Sequence, residues 1–154
     1  MSVLLVQSCS ASKQQCYTPI PAIDLYTGYF YRIINKSKRE DAFRDDINLR
    51  ILSAEYGLIH PDTEIACYDR RMTAERAAAL RESILDDLVD TVREHGITHV
   101  VVNAGATYRK ALNGVETRLG DDVSVSFITG SGNGEMGGKL KSFIRADEQS
   151  EGIA

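Results

Sequence analysis

The chain has 154 residues, 26% of them charged and 43% hydrophobic, with a formal net charge of −4. That is an ordinary globular composition, sized for one domain, and no apolar run approaches the length of a membrane-spanning helix. The acidic balance excludes bulk electrostatic affinity for nucleic acid while leaving room for a local basic patch.

The N-terminus, MSVLLVQSCS, lacks both the positive start and the small-residue cleavage site of a secretory signal. Its run Val3 to Val6 reads instead as a strand buried on both faces. Residues 7–22 are polar and Pro-bearing, hence loop. Ile23, Tyr26, Phe30, Ile33 and Ile34 then recur at helical spacing, with Pro21 suited to the first turn. Gly28 falls inside that helix at a cost of about 1 kcal/mol relative to Ala, so it signals a close approach or a break. Leu49 to Leu52 is a second strand. Thr73 caps the next helix, Glu75 complements its dipole, and Gly96 ends it. Its buried stripe is Ala77, Leu80, Ile84, Leu88 and Val92.

Val100 to Val102 is a third strand, followed by a shorter helix interrupted near Gly114. Val123, Val125 and Phe127 alternate with polar residues, as in a strand near a sheet edge. After the glycine-dense TGSGNGEMGG comes a last short helix, Met136 to Ile144, closing a domain over residues 1–145. Residues 146–154 read as a flexible acidic tail.

The order β-α-β-α-β-α-β-α predicts a single three-layer α/β domain, with a mainly parallel, about four-stranded central sheet flanked by helices. Such folds bind ligands outside the carboxyl ends of their strands. The segments there are SCSASK, SAEYGLIHPD, NAGATY and TGSGNGEMGGK, all rich in small and hydrogen-bonding residues. They are expected to converge on one crevice.

The same segments carry a resemblance. SCSASK (Ser8, Lys13), LYTG (Tyr26, Thr27, Gly28), LSAEYGLIHPD with the following YD (Ser53, Tyr56, Gly57, Pro61, Asp62, Tyr68), VVNAGATY (Asn103, Tyr108) and GGKLKSFI (Gly138, Phe143, Ile144) resemble the YaaA-like superfamily over nearly the whole chain. The element after the second strand is the most specific. The resemblance implies association with DNA and protection from oxidative damage. A remoter likeness is to uracil-DNA-glycosylase-like domains, including that of the archaeosine synthases, which handle nucleobases. The basic stretch that YaaA proteins carry before their last helix is absent here.

The expected ligand is therefore a nucleobase, a nucleotide or a nucleic-acid segment, with no membrane involved. Cleavage or transfer at an N-glycosidic bond passes through a cationic sugar, which a carboxylate stabilises; Asp62 is the candidate. Asn103, an amide at a strand end, is placed to read a base edge. Tyr26, Tyr56, Tyr68 and Tyr108 offer stacking faces. Lys13 and Lys139 are candidates to hold phosphate, with Arg71 at the rim beside Glu55 and Arg70. Ser8, Cys9, Gly28, Ser53 and Gly57 complete the expected lining. GSGNGEMGGK lacks P-loop spacing.

Two other readings are a non-catalytic DNA- or RNA-binding stress module and a thiol redox sensor using Cys9 or Cys16. The three cysteines match no zinc pattern. Without an export signal they are expected as free thiols in a reducing cytoplasm. No metal or cofactor is expected.

Overall fold

The computed structural model describes residues 2–145; the tail expected at 146–154 lies outside the described residues. The apolar run at the N-terminus forms strand β1 (Ser2–Ser8). A loop leads to the short strand β2 (Ile20–Pro21) and then to two helices, α1 (Ala22–Leu25) and α2 (Tyr29–Arg39). The single helix expected over this stretch is thus broken at Tyr26–Gly28. The break has a tertiary cause: Thr27 N donates to Ser12 O at 2.9 Å, and Gln14 N donates to Leu25 O at 2.9 Å. The loop after β1 captures the backbone that would otherwise continue the helix.

Strand β3 (Ile47–Ser53) is followed by β4 (Gly57–Ile59) and β5 (Glu64–Ile65). Helix α3 (Ala74–His95) starts at Thr73, whose hydroxyl accepts from Arg76 N at 3.1 Å, and ends at Gly96 in the left-handed region, φ 62°. Both ends follow from the capping chemistry of those residues. Strand β6 (Ile97–Asn103) leads to α4 (Ala106–Arg109), a 3-10 turn (Lys110–Leu112) and α5 (Val115–Leu119). Strand β7 (Ser124–Phe127) and helix α6 (Asn133–Arg145) complete the chain.

The main sheet has five strands in the order β4-β3-β1-β6-β7. The pairs β1–β3, β1–β6 and β6–β7 are parallel. The mainly parallel sheet of about four strands is as expected, with one edge strand added: β4 turns back and pairs antiparallel with β3, Ser53 opposite Gly57 and Ile51 opposite Ile59. Strands β2 and β5 form a separate antiparallel ladder.

Alternation along β1 sends Val3 and Leu5 to one face, where they pack with Ile34 of α2 and Leu140 and Ile144 of α6. Leu4 and Val6 face the other way, into a core with Ile84, Leu88 and Val92 of α3 and with Leu112 and Val115. The central strands are therefore covered on both faces, as parallel strands require. Among the described residues, no helix is long and apolar enough to cross a membrane.

Candidate functional site

The chain leaves β1 toward β3 on one side and later returns to β6 on the other. The segments following β1 and β6 lead to helices on opposite faces, which opens a crevice at their carboxyl ends. The first residue beyond β1 is Cys9. Its buried thiol shares a hydrogen bond of 3.0 Å with the Tyr108 hydroxyl on α4, across that switch point.

Beside this contact stands a hydroxyl network. The Tyr26 and Tyr68 hydroxyls are 2.7 Å apart, and the Ser53 hydroxyl at the end of β3 is 3.1 Å from that of Tyr68. Ser53 Oγ also accepts from Glu55 N and Tyr56 N, each at 3.1 Å, which fixes the turn into β4. Rings close the cluster: Tyr56 meets Tyr68 edge-on at 5.5 Å, and Tyr26 lies 5.2 Å from Tyr31. The Lys13 ammonium lies 4.6 Å from the Tyr68 ring centroid, and its backbone bridges to Tyr26. Tyr56 is 39% exposed and forms the open rim, while Tyr26 is 1% exposed and forms the floor.

Burial dominates the electrostatics. It pushes the Tyr26 hydroxyl up to about 12, against the lowering effect of its bonds to Tyr68 and Ser53. It also raises Tyr68 and Tyr108, and the neighbouring Cys9 adds to both. These three hydroxyls therefore keep their protons at ordinary pH and serve as donors and acceptors beneath one lysine.

Of the residues expected to line the site, Cys9, Lys13, Tyr26, Ser53, Tyr56, Tyr68 and Tyr108 are brought together. Ser8 contributes its carbonyl, which accepts from the Tyr31 hydroxyl at 2.9 Å. Gly28 is the close approach: its N–H donates to Ser10 Oγ at 3.2 Å, and a Cβ there would stand 2.6 Å from Ser10 Cβ. Gly57 turns the chain into β4 at φ 79°.

Four expected residues make no hydrogen bond, ion pair or ring contact with this cluster among the described residues. Asp62 is corrected most sharply. Because β4 runs antiparallel, the chain retreats along β3, and Asp62 lines a different cavity with Ile47, Asn48 and Leu49 near the start of that strand. Its side chain is 84% exposed and lies 3.9 Å from His60 Nδ1. Lys139 bonds Thr129 O at 2.6 Å and pairs with Glu135. Arg71 is exposed.

Asn103 is 1% exposed beneath the switch point, where its Nδ2 donates to Gln7 Oε1 at 2.9 Å. Its Oδ1 has no hydrogen-bond partner among the described residues. It braces the β1–β6 junction from within and reaches no surface.

The free-thiol expectation also fails in part. Cys16 and Cys67 form a disulfide, their Cα atoms 6.0 Å apart, and Cys9 is the free cysteine. The bridge joins the Lys13-bearing loop to the residue just before Tyr68. Among the described residues, no three His, Cys, Asp or Glu side chains gather as a metal site.

Two arginines that hold the site carry no clear mark in the sequence. Arg76 donates to Ala54 O and Glu55 O, each at 3.0 Å, gripping the turn after β3. A cation in the first turn of a helix opposes the dipole, which was the available signal. Arg109 ties Ala104 O and Ile128 O, at 2.9 and 3.1 Å, across the ends of β6 and β7; no local pattern distinguishes it.

The Family of unknown function (DUF6884) matches residues 3–139 of the chain. Among solved structures, the chain is similar to AF0587, a protein of unknown function, with 16% identity and a TM-score of 0.55. That likeness covers 94% of this chain and 45% of the other, so the chain spans less than half of AF0587, and it shows the fold alone. No curated protein matches the chain.

Proposed function

The chain belongs to the Family of unknown function (DUF6884), and we propose that it binds a nucleobase-bearing ligand at the carboxyl edge of β1, β3 and β6. One observation carries the reading. At the switch point, four tyrosines, a serine and a thiol converge under a single lysine, with the Tyr56 ring open at the rim. A flat aromatic ligand stacks on such a ring for about 1–3 kcal/mol. The neutral hydroxyls match the donors and acceptors of a base edge, and Lys13 meets a phosphate.

The proposal is of binding. Base release through Asp62 has no support, because that carboxylate sits at the far end of β3. Glu55, which directly precedes Tyr56, is paired with Arg70 at 3.0 Å.

Calorimetric titration of the protein with nucleobases, nucleosides and nucleotides tests this. Tyr56→Ala should weaken the best ligand by roughly 5- to 150-fold, the equivalent of one lost stacking contact. Lys13→Gln should weaken the nucleotide more than its nucleoside. Asp62→Asn should leave affinity unchanged. If no member of the panel binds, or if Tyr56→Ala binds as the parent does, the reading is wrong.

A further inference from the structure

A second recess lies between α2 and α6. It has a volume of about 450 Å³, and its lining includes Tyr29, Arg32, Lys36, Lys141 and Arg145. Its charge opposes that of the whole chain: four cations face one nearby carboxylate, Glu40, in a protein of net charge −4. Arg145 already holds Glu40 at 2.5 Å and Ser37 Oγ at 2.9 Å. Arg32, Lys36 and Lys141 have no carboxylate within ion-pair distance among the described residues. Arg32 and Lys36 are one helical turn apart on one face of α2, a spacing at which like charges repel. Glu40 is the nearby counter-charge: it is bound to Arg145, and it also feels Lys36 and Lys141, so one carboxylate is shared among three of the four cations.

The floor is equally specific. At Gly137 a Cβ would overlap the Tyr29 ring, which packs over that position. Gly134 and Gly138, one turn apart on α6, are different: a Cβ at either would meet nothing within 4 Å, so packing does not demand them. Each lowers helix stability by about 1 kcal/mol relative to Ala, and together they keep the recess deep enough for close approach to the backbone. At one wall stands Tyr29, 39% exposed. A groove lined by cations beside an accessible aromatic ring is the combination that holds single-stranded nucleic acid. An anionic lipid surface calls for projecting apolar side chains, whereas this site is recessed. An acidic peptide does not call for a stacking ring.

We propose that the α2–α6 groove binds a single-stranded polynucleotide segment, with Arg32, Lys36 and Lys141 meeting successive phosphates and Tyr29 stacking a base. This inference stands on the groove alone and fails separately from the nucleobase site at the sheet edge.

The test is fluorescence anisotropy with a labelled single-stranded oligonucleotide about 15 nucleotides long, titrated at several salt concentrations. Three phosphate contacts predict a slope of log affinity against log salt of about −2, from about −0.7 per contact. The triple variant Arg32→Gln, Lys36→Gln, Lys141→Gln should flatten that slope toward zero and bind about a hundredfold more weakly near 0.1 M salt. Gly138→Leu points into open space and replaces a poor helix former, so it should fold with a melting temperature at or above the parent's and still obstruct the strand. Mononucleotide titration of the same variants should be unchanged, since it reads the sheet-edge site. Parental affinity and slope in the triple variant, or full binding by Gly138→Leu, would overturn the proposal. So would binding to anionic vesicles or a poly-glutamate peptide without binding to the oligonucleotide.

Discussion

Tyr68 joins two walls of the sheet-edge site, because its hydroxyl bonds both Tyr26 and Ser53. Tyr68→Phe removes those bonds and leaves the buried Tyr26 hydroxyl with Ser53 alone. A lost intramolecular hydrogen bond costs about 0.5–1.5 kcal/mol, so thermal denaturation should show a lowered melting temperature with the fold intact. The same residues set an alkaline limit. Tyr26 is raised by burial from 10.0 to about 12, and Tyr68 and Tyr108 are raised too, burial again being the largest cause. In the unfolded chain these groups ionise near pH 10, while in the folded protein they keep their protons. Their stabilising effect is thus complete below pH 10 and is lost as pH rises from 10 through about 12. Melting temperature against pH should fall across that window, and Tyr68→Phe should make the fall shallower; a flat profile would contradict the buried network. At this scale much of the candidate site was legible, since Tyr56, Tyr108, Ser53, Lys13 and Cys9 fall in the segments after the expected strands, and Tyr26 and Tyr68 in those that carry the resemblance. Asp62 was not, because its position depends on the direction of β4, a strand of three residues with too short a pattern to read.

Helix α2 begins where it does because of a residue eighteen positions upstream. Ser10 caps the Gly28 N–H, and its Cβ occupies the space a side chain at Gly28 would need. Gly28→Ala should destabilise the protein by about 1–3 kcal/mol, the usual range for overpacking. Ser10→Gly in the same chain should recover part of that loss, relieving the overlap while forgoing the hydrogen bond; chemical denaturation of both variants and the double variant measures it. No recovery would place the strain elsewhere. The sequence marks Gly28 as anomalous within a helical pattern, yet the pattern itself runs through it. Ile23, Tyr26, Phe30, Ile33 and Ile34 keep helical spacing across the break, and the cause of the break lies in backbone bonds to the distant loop. The long helix α3 is legible at both ends because its cap residues act locally, through Thr73 and Gly96.

Across the whole molecule, the parallel α/β architecture follows from the alternation of buried strands and helical segments, and its central sheet is as expected apart from the added antiparallel edge. The disulfide is not legible, since two cysteines 51 positions apart carry no spacing signal. Closing a ring of that length stabilises the folded state by about 4 kcal/mol in the chain-entropy account. Guanidinium unfolding with and without a dithiol reductant should show a shift of that order, abolished in Cys67→Ser; equal midpoints would mean the bridge adds nothing. The bridge also changes what a cut in the chain can do. Tyr17, 95% exposed, lies immediately after Cys16, an open target for a protease that cleaves after aromatic residues. Cleavage there severs the peptide between β1 and everything that follows it, yet the fragment bearing the central strand stays attached through Cys16 and Cys67. On a gel run without reductant the nicked protein should migrate as one band, and with reductant it should release a small N-terminal peptide. The protein is thus built to survive a break in the connection that its central strand most depends on.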